Sequence, residues 1–110
     1  AKDAECYQPL TEASYFSIHL LAGDQSALAW QFAKSDMDKT AGLEISQGPS
    51  GSPKIQGCLA YLECRHHALY DGGDHGILVG EVTHIEFSDQ ESDPLVYCKS
   101  ALGPLPAIGT

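Results

Sequence analysis

Asp71-Gly72-Gly73-Asp74-His75 separates two long runs of alternating character, residues 57–70 before it and 76–87 after it. A period of two is the signature of β-strands, and a short polar, glycine-rich segment between two such runs marks a hairpin. Glycine accepts the positive φ that a tight hairpin turn needs, and Asp favours turns by bonding its own backbone. The stretch therefore predicts a long antiparallel hairpin with a polar tip. It also sets His75 at the head of the return strand, held by the sheet behind it and open to solvent in front. A side chain placed in that way can meet a ligand.

The two arms supply the faces. Leu59, Tyr61, Glu63, Arg65, His67 and Leu69 share one side of the first arm; Ala60, Leu62, Cys64, His66, Ala68 and Tyr70 share the other. On the return arm Ile77, Val79, Glu81, Thr83, Ile85 and Phe87 alternate with Leu78, Gly80, Val82, His84 and Glu86. Neither side is purely polar, which suits a curved sheet or barrel with something packed on its outside. Glu63 and Glu81 fall on facing strands and are expected to be solvated.

Upstream, Pro9-Leu10-Thr11-Glu12-Ala13 predicts one or two helical turns with Pro near the start. Residues 15–21 alternate as a strand, with Phe16, Ile18 and Leu20 on a core-like side and Tyr15, Ser17, His19 and Leu21 on a mixed one. Gly23-Asp24-Gln25 opens a helix, for which Asp24 is the expected N-cap. Leu28 and Phe32 lie on one face of that helix, which should end near Lys34-Ser35. Residues 36–42 form a polar connector, 43–45 a short strand, and Gly48-Pro49-Ser50-Gly51-Ser52-Pro53 a loop. Downstream, residues 88–93 are an acidic loop and 94–98 a last short strand. Gly103-Pro104-Leu105-Pro106 is expected to lie outside regular structure.

The chain has 110 residues, enough for one domain. Fifteen acidic residues against six basic ones give a formal charge of −9, which argues against nucleic acid or an anionic membrane as the main partner. An anionic cofactor stays possible, since a few amides and one cation can hold a phosphate. No run of about 18 apolar residues is present. Cys6, Cys58, Cys64 and Cys98 form no C-x-x-C pair and are expected to be reduced core or near-core thiols of a cytoplasmic protein. Cys64 and His66 share a strand side, but no second pair of ligands recurs, so no metal site is expected.

Several stretches in order carry a family resemblance. They are Phe16-Ser17-Ile18-His19-Leu20-Leu21-Ala22-Gly23-Asp24-Gln25, the helix with Leu28-Ala29 and Phe32-Ala33, Asp38-Lys39 with Ala41-Gly42, and the 48–53 loop. Leu59-Ala60-Tyr61-Leu62-Glu63-Cys64, Gly73-Asp74-His75, Val79-Gly80-Glu81-Val82 and Pro94-Leu95-Val96-Tyr97 complete the set. Together they resemble the flavin reductase-like domain, the split-barrel family that supplies reduced flavin to two-component monooxygenases. The resemblance implies a mainly β fold with one or two helices, a six-stranded antiparallel split barrel. It implies FMN or FAD near a homodimer interface, NADH or NADPH as hydride donor, and a flavin-dependent monooxygenase as partner. It also implies His75 as the catalytic residue. The cofactor contacts it implies are His19, Leu20, Leu21, Lys39, Gly73, Asp74, His75 and Lys99.

There are departures from the pattern. The family domain usually has about fifty residues before the position of Ala1, so residues 1–110 are expected to be the C-terminal two-thirds of a single such domain, incomplete at the N-terminus. Such an open piece should expose strand edges and apolar faces. His19 stands where the family usually has Asn. Near residues 98–102 the family often shows an aromatic, a basic residue and Gly, of which only the basic residue is kept. The alternative reading is a non-catalytic or truncated flavin-binding or interaction module on the same fold.

Overall fold

The computed structural model describes residues 1–34, 42–89 and 92–105. Two helices, α1 (Tyr7–Glu12) and α2 (Ser26–Ala33), accompany seven strands: β1 (Tyr15–Leu20), β2 (Ile45–Gln47), β3 (Pro53–Ile55), β4 (Ala60–Gly72), β5 (His75–Phe87), β6 (Leu95–Cys98) and β7 (Ala101–Pro104). They form a three-stranded antiparallel sheet of order β1-β4-β5 and two separate hairpins, β2-β3 and β6-β7. Seven strands in three sheets replace the expected six, and no closed barrel forms among the described residues.

The long hairpin is present, with its turn narrowed to two residues: Gly72 pairs with His75, and Gly73 takes φ +77°. Strict alternation along it fails twice. Glu63 pairs with His84 but Cys64 pairs with Val82, which leaves Thr83 as an extra residue. His66 pairs with Gly80 and Ala68 with Val79, which leaves His67 as another. Each bulge moves the following side chains to the other face. Val82 and Gly80 therefore join Ile85 and Phe87, while Glu81 joins His84 and Glu86. The sheet acquires one apolar and one polar face.

The polar face is the covered one. Register stacks Tyr15, Arg65 and Glu81 in one row, Ser17, Glu63 and His84 in the next, and His19, Tyr61 and Glu86 in a third. The β2-β3 hairpin lies over the last two rows, and the expectation of a solvated Glu63 is overturned: its carboxylate is 1% exposed. Nor does it oppose Glu81, which pairs across the sheet with Arg65. The apolar face is open. Ile18, Leu20, Val82, Ile85 and Phe87 are all exposed, Phe87 to 76%. Its tight spots lie at Ala60, 3% exposed, and under Phe16, where Cys64 is 2% exposed and Gly80 passes against the Phe16 ring; Cys58 is buried as well, whereas Cys6 and Cys98, expected near the core, are exposed. The core-like side expected for Phe16, Ile18 and Leu20 is thus core-like only at Phe16. A radius of gyration of 15.1 Å, against about 13 Å for a compact chain of this length, reflects the same openness.

Three local expectations change. The residue before α2 is Gln25 rather than Asp24, and Gln25 Oε1 accepts from the Ala22 amide at 2.8 Å instead of capping the helix. The short strand expected at 43–45 runs Ile45–Gln47. Gly103 and Pro104, expected to be irregular, form the end of β7. Pro104 is tolerated because it ends an edge strand of a two-stranded ribbon, where no further ladder needs its missing N–H. The β6-β7 turn is strained: Lys99 and Ser100 take φ +51° and +65°. Left-handed backbone costs an ordinary residue about 1 kcal/mol, and glycine avoids most of it. Ser100→Gly is expected to stabilise the chain by about 1 kcal/mol in urea unfolding; an unchanged midpoint would contradict the strained turn.

Candidate functional site

Two places gather the chemistry. The first is the tip of the β4-β5 hairpin. Asp74 Oδ1 lies 2.7 Å from His75 Nδ1. A carboxylate can only accept, so the proton of that bond sits on Nδ1, and in the neutral ring Nε2 is then the free acceptor. Both side chains are exposed. The N-terminal segment braces the tip: the Lys2 amide donates to the Asp74 carbonyl at 2.9 Å, and Lys2 Nζ donates to Asp71 Oδ1 at 2.5 Å. That bond holds the Asp71 carboxyl below its ordinary value. Further along, Tyr7 packs where a side chain on Gly76 would sit.

The second is a cavity of about 400 Å³ on the polar face, walled by Ser17, His19 and Leu21 from β1 and its end, Ala29 and Phe32 from α2, and Ile45, Pro53 and Ile55 from the β2-β3 hairpin. Its size falls in the usual range for ligand pockets, and its walls are mostly apolar with a few polar groups. The hairpin over it is fastened by polar bonds. Ser17 Oγ donates to the Pro53 carbonyl at 2.7 Å, and the Ile55 amide donates to His19 Nε2 at 3.0 Å. Lys54 Nζ donates to Glu86 Oε1 at 2.7 Å, while His84 Nε2 meets Glu86 Oε2 at 2.8 Å.

Glu63 anchors the turn of that hairpin. Ser50 Oγ donates to Glu63 Oε1 at 2.6 Å, and the Ser50 amide lies 3.2 Å from each carboxylate oxygen. Gly48 leaves room for this: a Cβ there would overlap the Tyr61 hydroxyl and the Glu63 carboxylate. Burial pushes the Glu63 carboxyl upward, but the Ser50 hydroxyl and amide with the adjacent Tyr61 phenol outweigh it, and the net shift is downward. Burial, and then the neighbouring Glu63, push the Tyr61 phenol well above its ordinary value. The Tyr61 hydroxyl is buried against the carboxylate without a well-directed hydrogen bond. Burial also lowers the pKa of His19 below its ordinary 6.5.

That shift has a definite sign. The fold holds His19 neutral, so its contribution to stability is complete above pH 6.5 and is lost as pH falls from there through its own lower value. Glu63 and Glu86, both lowered, keep their contributions above about pH 4.5 and lose them below it. Urea unfolding across pH should therefore show stability falling in two stages. His19→Asn, which keeps an acceptor for the Ile55 amide without a titrating ring, should remove the first; persistence of that stage would refute its assignment.

The expected site residues divide. His19 and Leu21 line the cavity, whereas Leu20 points to the open apolar face, because neighbours on a strand alternate. Gly73, Asp74 and His75 sit together at the hairpin tip. They lie eleven positions along β4 from Tyr61, the partner of His19, about 36 Å of strand path. One chain does not bring these two groups together. Lys99 occupies the strained β6-β7 turn; the base of that hairpin joins Leu21 through the bond from the Leu95 amide to the Leu21 carbonyl at 2.9 Å. Lys39 lies outside the described residues. The Glu63–Ser50 clamp was missed in the sequence reading, where the only signal was a Gly-Pro-Ser-Gly-Ser loop with no evident partner.

The chain as a whole is similar to known proteins. The family model for the flavin reductase-like domain matches residues 1–106. The chain is 37% identical over 108 residues to the FMN reductase (NADH) SmoA of Agrobacterium fabrum, covering 94% of this chain and 58% of that protein. It is 40% identical over 88 residues to the reductase component of 4-hydroxyphenylacetate 3-monooxygenase from Thermus thermophilus, covering 80% and 53%. Among solved structures, the Streptomyces globisporus NADH:FAD oxidoreductase SgcE6 in complex with NAD and FAD fragments superposes with a TM-score of 0.89 at 30% identity, covering 99% of this chain and 66% of that one. The chain spans about half the length of the curated relatives it matches. With the family model covering nearly every residue and the backbone following a solved relative almost end to end, the chain belongs to the flavin reductase-like domain family.

Proposed function

We propose that this domain works as an NAD(P)H-dependent flavin reductase, passing hydride from NADH or NADPH to FMN or FAD and handing reduced flavin to a partner monooxygenase. The observation that carries the reading is the superposition over 99% of the chain on a structure described as holding NAD and FAD fragments. The residues present fit a flavin: the cavity offers about 400 Å³, apolar lining from Phe32, Ile45 and Pro53, and a neutral imidazole at His19. A bound flavin supplies the hydride-accepting chemistry; the protein binds and orients. His19 and Leu21 face that ring in this reading, and Lys39 and Lys99 are the cations offered to phosphate. Asp74 fixes His75 with Nε2 as the free acceptor, so that the Gly73-Asp74-His75 turn accepts a hydrogen bond from the nicotinamide carboxamide and aligns the donor. The finer reading includes a homodimer, supported by the open apolar sheet face and by the separation of the His75 turn from the cavity along one chain. No described helix is long and apolar enough to cross a membrane; we place the protein in the cytoplasm.

The test is NADH oxidation with added FMN or FAD, wild type against His75→Ala. Loss of one directing hydrogen bond is expected to lower kcat/KM for NADH about tenfold, with flavin affinity little changed. Saturable flavin binding without any NADH oxidation by the wild type would favour the non-catalytic flavin-binding module instead.

A further inference from the structure

The Glu63 clamp extends one bond beyond Ser50 to the cavity. Ser50 ties the turn of the β2-β3 hairpin to Glu63, and the Gly48 amide closes that turn on the Ser52 carbonyl at 2.9 Å. The next strand, β3, is then pinned near both ends, by Ser17 on the Pro53 carbonyl and by the Ile55 amide on His19 Nε2. An amide N–H can only donate, so Nε2 carries no proton and the single proton of a neutral ring resides on Nδ1. Turning the ring over would set another hydrogen against the Ile55 amide. The Tyr61 ring, 5.1 Å away between centroids and tilted by 51°, stands against such a turn.

We propose that the β2-β3 hairpin, clamped by Glu63 and Ser50, locks His19 as the neutral Nδ1–H tautomer, making Glu63 and Ser50 positioning residues that keep this ring a hydrogen-bond donor toward the flavin. The lock is read from this chain's own bonds; the destination of the Nδ1 proton rests on the flavin reading above.

The surroundings agree. The titratable groups facing the ring are Tyr61 and Glu63 from β4, His84 and Glu86 from β5, and Lys54 from β3; α2 contributes only Ala29 and Phe32. Both carboxylates are already engaged, Glu86 by Lys54 and His84, and Glu63 by Ser50. Neither hydrogen-bonds an imidazolium at His19, and burial acts against one. A clamp built from a buried carboxylate is costly to desolvate, and such groups are retained where they fix one geometry.

Imidazole nitrogen NMR of the full 110-residue chain reads the lock directly, with the His19 signals identified by their loss in His19→Asn. The wild type should show Nε2 unprotonated, Nδ1 protonated, and a titration midpoint below the ordinary 6.5 of a histidine. Glu63→Gln places an amide donor against the Ser50 amide, and Ser50→Ala removes one hydroxyl while leaving the backbone bonds to the carboxylate. Both should move the ring to averaged tautomers with a higher midpoint and weaken FMN binding about threefold in fluorescence quenching. If Glu63→Gln does not fold by circular dichroism, Ser50→Ala carries the test. A wild-type ring with averaged tautomers, or an unchanged tautomer and midpoint in the folded variants, overturns the lock. Tautomer release with unchanged FMN affinity upholds the lock and removes His19 from the flavin site.

Discussion

Replacing Glu63 with Ala will lower the unfolding free energy by about 3 kcal/mol. The carboxylate is 1% exposed and receives both the hydroxyl and the amide of Ser50. Its removal takes the carboxylate acceptor from the part-buried hydroxyl and amide of Ser50, leaving the hydroxyl only Ser52 Oγ at 2.9 Å, and empties the space beneath the 48–52 turn. A buried group that loses its partner costs about 1–3 kcal/mol, more where the lost partner was charged. The loss is large against the 5–15 kcal/mol that separates folded from unfolded domains. Urea unfolding measures it, and a change under 1 kcal/mol would mean that the turn is held by something else. Glu63→Gln should cost less than Ala, because the amide oxygen still accepts from the Ser50 hydroxyl.

Gly80→Val should be comparably damaging, by about 3 kcal/mol, and for a different reason. A Cβ at residue 80 would lie 2.5 Å from the tip of the Phe16 ring and 2.9 Å from the Cβ of Cys64. The Phe16 ring can shift, but Cys64 Cβ is fixed to a central strand. Overpacking a tight spot costs about 1–3 kcal/mol, and a branched side chain falls at the upper end. Phe16 reaches across β4 onto β5 only because Gly80 has no side chain. Thermal unfolding of Gly80→Ala beside Gly80→Val should rank wild type, Ala and Val in falling order; equal midpoints would contradict the contact.

The same two residues mark where the sequence could be read. The long hairpin, its glycine turn and the short strand at 95–98 follow from alternation and turn chemistry, which act locally. Gly80 gave no local sign of its purpose, since the Phe16 ring that needs it comes from a strand more than sixty residues earlier. Thr83 and His67 reverse the pattern of faces because a bulge depends on the partner strand's register rather than on its own residues. Glu63, an ordinary charged residue in an alternating run, was expected in water and lies buried because the β2-β3 hairpin folds over it with Ser50 on its carboxylate. Pro104 was excluded from a strand by a rule for ladder interiors, which does not bind at the end of an edge. Among candidate site residues, His19 and Leu21 were placed correctly on one strand side, and Leu20 was separated from them by the alternation of the strand itself. The distance between the cavity and the His75 turn could not be read from motif order, because it depends on how far β4 runs before it turns back.

Hydride transfer to flavin is what would distinguish this domain from a passive flavin binder. Its most direct test is anaerobic mixing of the 110-residue chain with NADH and FMN or FAD, following loss of the flavin's visible absorbance. Protein-dependent bleaching is expected, saturating with both substrates and falling about tenfold in His75→Ala. Bleaching no faster than in buffer, with a folded chain that binds flavin saturably, would contradict it and leave a flavin-binding module in its place.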